Sequence, residues 1–469
     1  MTSNKLTPCA IAVLAALLAC APAAQAQSND DLLKELRALR QRVEDLESKL
    51  KAPAAPAAPA AANTQWGMTP QQVQDFNRIA VKTEALEDAV EAQGLKSLKI
   101  SGYIDPTYVW NKNQQRAGFQ FLNRVSDDGY NYDNSYFGVA SIDFQKEMEG
   151  GIKWRLTLMP NRGAGSIADA GGNSIVHEAS VSVPLGDLQT RFLAGQIPDW
   201  SGYEYIQPTQ TKLVTRGLLL DFIEPTAYTG IGMEYLRGKW DTKWLLANFN
   251  STKQAQKARS PVLAYRVDYA KGEFNGFGFA GVHGKVANAR DVDAASPASS
   301  MLNMIEADAY FIRGDFTWQG QIGIGGQQRA AISADPVSGA LRDSRWLGAS
   351  TLLAYKFIPR WEVVGRFDYI KNDKNGGGLL GYTVADGRNG IGPGVSGLDA
   401  TGAPIYGDPD KGANRMALAL GVNWLLNLNT VIKTEYRFDQ ASQAVFYDVA
   451  SGGYRKSNQL FGTSVVVSF

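Results

Sequence analysis

Residues 459–469 read Gln459-Leu-Phe-Gly-Thr-Ser-Val-Val-Val-Ser-Phe469, a stretch that alternates at period two toward a terminal aromatic. Counting back from the end, Phe469, Val467, Val465, Thr463 and Phe461 share one face of a strand, while Ser468, Ser464 and Gly462 lie on the other. A chain that stops inside so apolar a strand leaves an edge open to pairing, whereas a barrel closes that edge by pairing its last strand with its first. The expectation is therefore an all-β fold in which residues near the C-terminus meet the start of the sheet.

Upstream, period-two patterning begins at Leu98 and continues to the end. Candidate strands fall near residues 98–110, 135–147, 151–160, 173–184, 188–198, 228–239, 242–250 and 261–270. The others fall near 277–287, 303–316, 319–330, 345–358, 360–371, 413–426, 429–440 and 456–469, about sixteen in all, an even number as bacterial barrels require. Tight turns such as Glu149-Gly150-Gly151, Leu185-Gly186-Asp187, Ile358-Pro359-Arg360 and Leu426-Asn427-Leu428 alternate with longer segments rich in Gly, Asn, Asp and Ser. That alternation of short and long connections is how transmembrane barrels are built, with the tight turns on the periplasmic side.

The strands sort into two faces. Ile152, Trp154, Leu156 and Leu158 oppose Lys153, Arg155 and Thr157; Leu263, Tyr265, Val267 and Tyr269 oppose Arg266 and Asp268; Met416, Leu418, Leu420, Val422 and Trp424 oppose Arg415 and Asn423. Charges facing inward imply a wet lumen, since unpaired ions in a dry interior cost several kcal/mol each. Tyr103, Trp154, Trp361, Tyr369, Trp424 and Tyr436 stand near strand ends, where interfacial aromatic girdles form.

The start of the chain reads as a secretory signal over residues 1–26: Lys5, an apolar run from Ala10 to Ala19, and the small-residue site Ala24-Gln25-Ala26. Both cysteines, Cys9 and Cys20, lie within it. Leu17-Leu18-Ala19-Cys20 loosely resembles a lipoprotein cleavage box, but Ala24-Gln25-Ala26 is the better cleavage site. Residues 27–51 carry a heptad with Leu36, Val43 and Leu50 at a and Leu32, Leu39 and Leu46 at d; Glu35 would face Arg40, and Arg42 would face Glu47, of a neighbouring helix. Three heptads are marginal alone, so the helix implies association. An Ala/Pro-rich spacer follows over 52–65, then a second helical segment over 66–97, with Thr69 as N-cap and Pro70 at the first helical position. The barrel is assigned to 98–469.

Three stretches carry resemblances. The C-terminal strand resembles the signature, ending in Phe469, by which Gram-negative outer-membrane proteins are recognised and inserted. Arg42-Val43-Glu44-Asp45-Leu46-Glu47 resembles the Arg-h-x-x-h-Glu motif of parallel three-stranded coiled coils. Leu193-Ala-Gly-Gln-Ile-Pro-Asp-Trp-Ser-Gly202 is similar to the Gly-Gln-Phe-x-x-Pro-Phe segment leading into the constriction loop of trimeric porins, particularly phosphate-selective and dicarboxylate-type porins with an N-terminal coiled coil; Ile197 and Asp199 depart from that pattern. An uncharacterised porin-like family would carry the same features. The resemblance implies a homotrimer joined through Leu36, Leu39, Arg42, Val43, Leu46 and Glu47. It also implies a third long loop, Asp199 to Ala227, folded into the channel, with Tyr203, Glu204, Tyr205, Lys212 and Arg216 facing wall residues Arg155, Arg191, Arg266, Arg366 and Arg415. The arginines imply a mild anion preference, which Asp268, Glu362, Asp368 and Glu435 temper.

Other chemistry is not visible. Gly276-Phe-Gly-Phe-Ala-Gly281 matches a dinucleotide fingerprint by letter, but Phe277 and Phe279 alternate within a strand and no helix follows. His177 and His283 lie far apart, and Asp127-Asp128-Gly-Tyr-Asn-Tyr-Asp133 lacks EF-hand spacing, so no catalytic residue, metal or cofactor is expected. A net charge of +1 gives no support for nucleic-acid binding. The expected partners are further copies of the chain, outer-membrane lipid and lipopolysaccharide, and the barrel-assembly machinery, with peptidoglycan a further candidate. The expected role is a passive porin in the bacterial outer membrane with its N-terminal helices in the periplasm. Its rivals are a barrel-anchored tether or adhesin and a barrel lipid hydrolase.

Overall fold

The computed structural model describes residues 70–92, 96–121, 138–159, 175–250, 260–288, 299–380 and 391–469. The signal, the heptads and the spacer lie outside them. The chain divides into two units, Met1–Ala92 and Gln93–Phe469. In the first, helix α1 covers Pro70–Ala92 and leaves Phe76 and Ile79 exposed.

The second unit is one antiparallel sheet closed on itself. Strand β1 runs as β1a (Leu98–Ile104) and β1b (Thr107–Asn111), and β2 as β2a (Arg116–Gln120) and β2b (Ala140–Glu147). Then come β3 (Lys153–Leu158), β4 (Val176–Leu185), β5 (Asp187–Pro198), β6 (Ala227–Arg237), β7 (Trp240–Phe249), β8 (Val262–Gly272) and β9 (Asn275–Ala287). The remainder are β10 (Ser299–Arg313), β11 (Phe316–Gln327), β12 (Ser344–Ile358), β13 (Trp361–Lys371), β14 (Arg415–Asn427), β15 (Thr430–Ala441) and β16 (Ser457–Ser468). The sheet holds eighteen segments, and because β1 and β2 are each broken in two, sixteen strands make the wall.

Closure occurs where the C-terminal pattern places it. Thr107 to Asn111 pair with Ser464 to Leu460, Tyr103 pairs with Ser468, and Gly102 and Phe469 exchange backbone hydrogen bonds of 3.1 and 3.0 Å. The break in β1 lies at Asp105-Pro106: the Asp105 amide makes the last bond of the β1a–β2b ladder, to the Val139 carbonyl at 2.8 Å, and proline supplies no N–H to continue it. The first connection differs from the single long loop expected. The chain turns back at Lys112–Gln115 and β2a pairs with β1b before a longer excursion returns at β2b.

Alternation divides the wall as anticipated. Outward side chains such as Ile231, Ile322, Ile324, Leu353 and Leu420 form an exposed apolar belt. Trp361 and Trp424 stack at 5.5 Å beside a tight-turn end, and Trp240, Tyr269 and Phe277 cluster there too. Tyr103 is an exception to the expected girdle. It is buried on the inner face, with its hydroxyl donating to Met159 Sδ at 3.6 Å. At the turns themselves, Gly186 and Gly314 adopt φ of 78° and 56°, values that disfavour any residue with a Cβ.

Candidate functional site: the inserted third loop and the vestibule beside it

The segment between β5 and β6 folds into the barrel and crosses it. Trp200 and Gly202 offer carbonyls to Arg266 on β8, the Tyr203 hydroxyl hydrogen-bonds Ser350 on β12 at 2.7 Å, and Gln207 meets His177 on β4 at 2.9 Å. Farther along, Lys433 on β15 donates to the carbonyls of Pro208 and Thr211, and Thr215 donates to Glu435 through its amide and hydroxyl. Helix α2, Leu218–Phe222, is a single buried turn.

Of the expected constriction residues, Glu204 meets Arg366 on β13 at 2.8 Å, and Lys212 meets Glu362 on the same strand at 2.6 Å. Arg216 is buried and donates to the carbonyls of Val214 and Ile206, while its own carbonyl accepts from Arg437. Tyr205 stays exposed. Among the wall arginines, Arg366 is matched by Glu204 and Asp368, and Arg266 by Asp268 and Asp308. Arg155 is matched by Asp143 and Glu178, and Arg415 by Asp439. Arg191 is held by Ser182 and the Gly151 carbonyl, with Glu234 at 4.0 Å. Loop and wall charges are therefore interlocked. Burial pushes the Asp199 carboxyl up to about 6, against the hydroxyl of Tyr228 at 2.6 Å, and also raises Glu204 and Glu224.

Two features escaped the reading of the sequence. The first is the apolar core inside the lumen: Leu218, Leu219, Phe222 and Ile223 pack against inward Leu245, Val262, Val282, Leu302 and Met304 of β7–β10. The wet lumen expected from inward charge thus holds for only part of the wall. The run Gly217-Leu-Leu-Leu-Asp-Phe-Ile223, apolar within a polar loop, was the signal for it. The second is asymmetry. Inward side chains of β13–β15 such as Arg366, Asp368, Glu435 and Arg437 are buried beneath the loop, whereas Lys153 is exposed and Arg155, Ser182, Glu234 and Lys243 are partly exposed. There a cavity of about 520 Å³ runs from the tight-turn end of β2–β7 up to Leu193, Ile197 and Trp200.

A closed sixteen-strand barrel with an apolar exterior, an ion-paired interior and a third loop folded inside has the architecture of outer-membrane channel barrels. The chain is similar to the outer membrane channel DcaP of Acinetobacter baumannii, with a TM-score of 0.50 and 10% identity over 79% of this chain and 97% of that one. The anion-selective porin from Comamonas acidovorans gives a TM-score of 0.48 and 12% identity, over 80% and 99% of the two chains. The trimer form of OmpT, an outer membrane protein of Vibrio cholerae, gives 0.48 and 9%, over 79% and 99%. No curated protein matches the sequence. Residues 3–469 match the family described as "Protein of unknown function (DUF3138)", and the chain belongs to it.

Proposed function

We propose that the protein is an outer-membrane porin passing small hydrophilic solutes by diffusion along the β2–β7 side of its lumen. The observation that carries this reading is the asymmetry of the inner wall: the inserted loop buries charges of β13–β15 such as Arg366, Asp368, Glu435 and Arg437, and leaves Lys153, Arg155, Glu234 and Lys243 of β3–β7 open or partly open to water. Pore width and wall charge would select solutes, with no catalytic step. Among the described residues, neither histidine of the hydrolase alternative has a serine hydrogen-bond partner: His177 meets Gln207, and His283 meets Asn303 and Tyr265.

The mild anion preference loses its basis once the arginines are seen paired. The charged side chains lining the β2–β7 cavity are three of each sign, Glu147, Glu178 and Glu234 against Lys153, Arg191 and Lys243, which favours a channel with little ion preference. The tether reading keeps one observation in its favour, the apolar core that α2 builds inside the lumen. Purified protein in a planar bilayer tests these together. A porin gives stepwise current, with a reversal potential near zero under a potassium chloride gradient. Absence of steps removes the porin reading and favours the tether, and a strong potential of either sign contradicts the charge assignment.

Homotrimerisation through Leu36, Leu39, Arg42, Val43, Leu46 and Glu47 belongs to the same proposal, as do the periplasmic placement of the N-terminal helices, insertion through Phe469 by the assembly machinery, and contact with lipopolysaccharide or peptidoglycan. The exposed Phe76 and Ile79 on α1 support association through the N-terminal helices.

A further inference from the structure

The vestibule on the β2–β7 side joins two kinds of surface. Its deep end is apolar: Leu193 belongs to the α2 core, and Ile197 and Trp200 pack against that core. Its flank is charged in both signs. Glu234 lies 3.4 Å from Lys243 and 4.0 Å from Arg191, and Lys243 meets Asp241 at 2.9 Å. A solute bearing a single charge meets its opposite and its like on this flank, so neither a simple anion nor a simple cation is favoured. A solute carrying both charges can satisfy both.

The aromatic end is held rigidly. The Trp200 carbonyl accepts from Arg266 at 2.7 Å, and the Tyr228 ring lies 5.4 Å from the indole. A ring fixed in this way offers a preformed apolar face to a solute group.

We infer that the vestibule is a binding site for small zwitterions carrying an apolar or aromatic group, such as α-amino acids with large apolar side chains. The apolar group enters between Leu193, Ile197 and Trp200, and the charged end lies along Arg191, Glu234 and Lys243. This deepens the channel reading, and rests on it for the route by which solute arrives.

The test is calorimetric titration of the mature, full-length protein in detergent with L-phenylalanine, glycine, phenylacetate and phenethylamine. Saturable binding of phenylalanine, at least about tenfold tighter than each of the other three, is expected. Trp200→Ala should weaken it by a further factor of about ten, as removal of an aromatic anchor does. Should that variant fail to fold, Glu234→Gln serves: it removes one acid from the flank, so phenylacetate binding should rise relative to phenylalanine. Equal binding of all four solutes, no binding, or an unchanged preference in Glu234→Gln would overturn the inference. Bilayer conductance is read separately. Current without phenylalanine binding sinks the site and spares the channel, while binding without current spares the site and removes the channel.

Discussion

At the residue scale, the third loop is fastened by charges whose signs were legible and whose partners were not. Glu204 and Lys212 stood out as loop charges and Arg366 and Glu362 as inward wall residues, because period-two alternation assigns faces. Which of them meet depends on the path of a long loop across the lumen, and neighbouring residues do not encode that path. Asp199 is the most informative fastening. Its pKa in the folded loop rises from 3.8 to about 6 because burial disfavours the charged form, while Tyr228 and Ser201 partly offset the effect. A carboxyl that holds its proton more tightly when docked stabilises docking most below pH about 4, and that contribution is lost as the pH rises through about 6. Hydrogen exchange of residues 199–226, corrected for intrinsic rates, should therefore show loosening from pH 5 to 7, and Asp199→Asn should flatten that dependence. An identical pH profile in the variant would assign the titration to another group.

At the element scale, the strands were readable and the insertions were not. Each strand turns one face into the barrel and leaves an apolar face on its exterior, so the alternation survives in the sequence across β3–β16. The break at Asp105-Pro106 and the pairing of Arg116–Gln120 left no comparable pattern, since a five-residue segment shows too few repeats to establish a period. Helix α2 was hidden for a related reason: five residues span little more than one turn. Its energetic role is nonetheless large. Phe222 is wholly buried and carries the Arg415 guanidinium 4.5 Å above its ring. Removing such a side chain costs about 3–5 kcal/mol, enough to shift a docked loop toward an open population. Phe222→Ala is thus expected to give larger or more frequent current steps than the unmodified protein in a planar bilayer. Unchanged steps would show that α2 stands clear of the conducting route.

At the scale of the whole molecule, a closed barrel needs no partner to satisfy its strand edges. Oligomerisation therefore has to come from elsewhere. If the heptads at 27–51 supply it, Leu39→Asp combined with Val43→Asp places charge at d and a and should reduce the native mass toward that of a single chain. A native mass that does not change would locate the association in the barrels instead. Both possibilities presuppose a wall with water inside and hydrocarbon outside, and that division can be measured directly because the sequence has no cysteine beyond Cys20. Single cysteines are introduced on the inner face as Arg155→Cys, Ser182→Cys and Lys243→Cys, and on the outer face as Leu156→Cys, Ile231→Cys and Leu420→Cys. Each variant is treated in outer-membrane preparations with a charged maleimide that cannot enter lipid. The inner set should label and the outer set should resist; equal labelling of both sets, or labelling of the outer set alone, would contradict the barrel's orientation and with it the proposed channel.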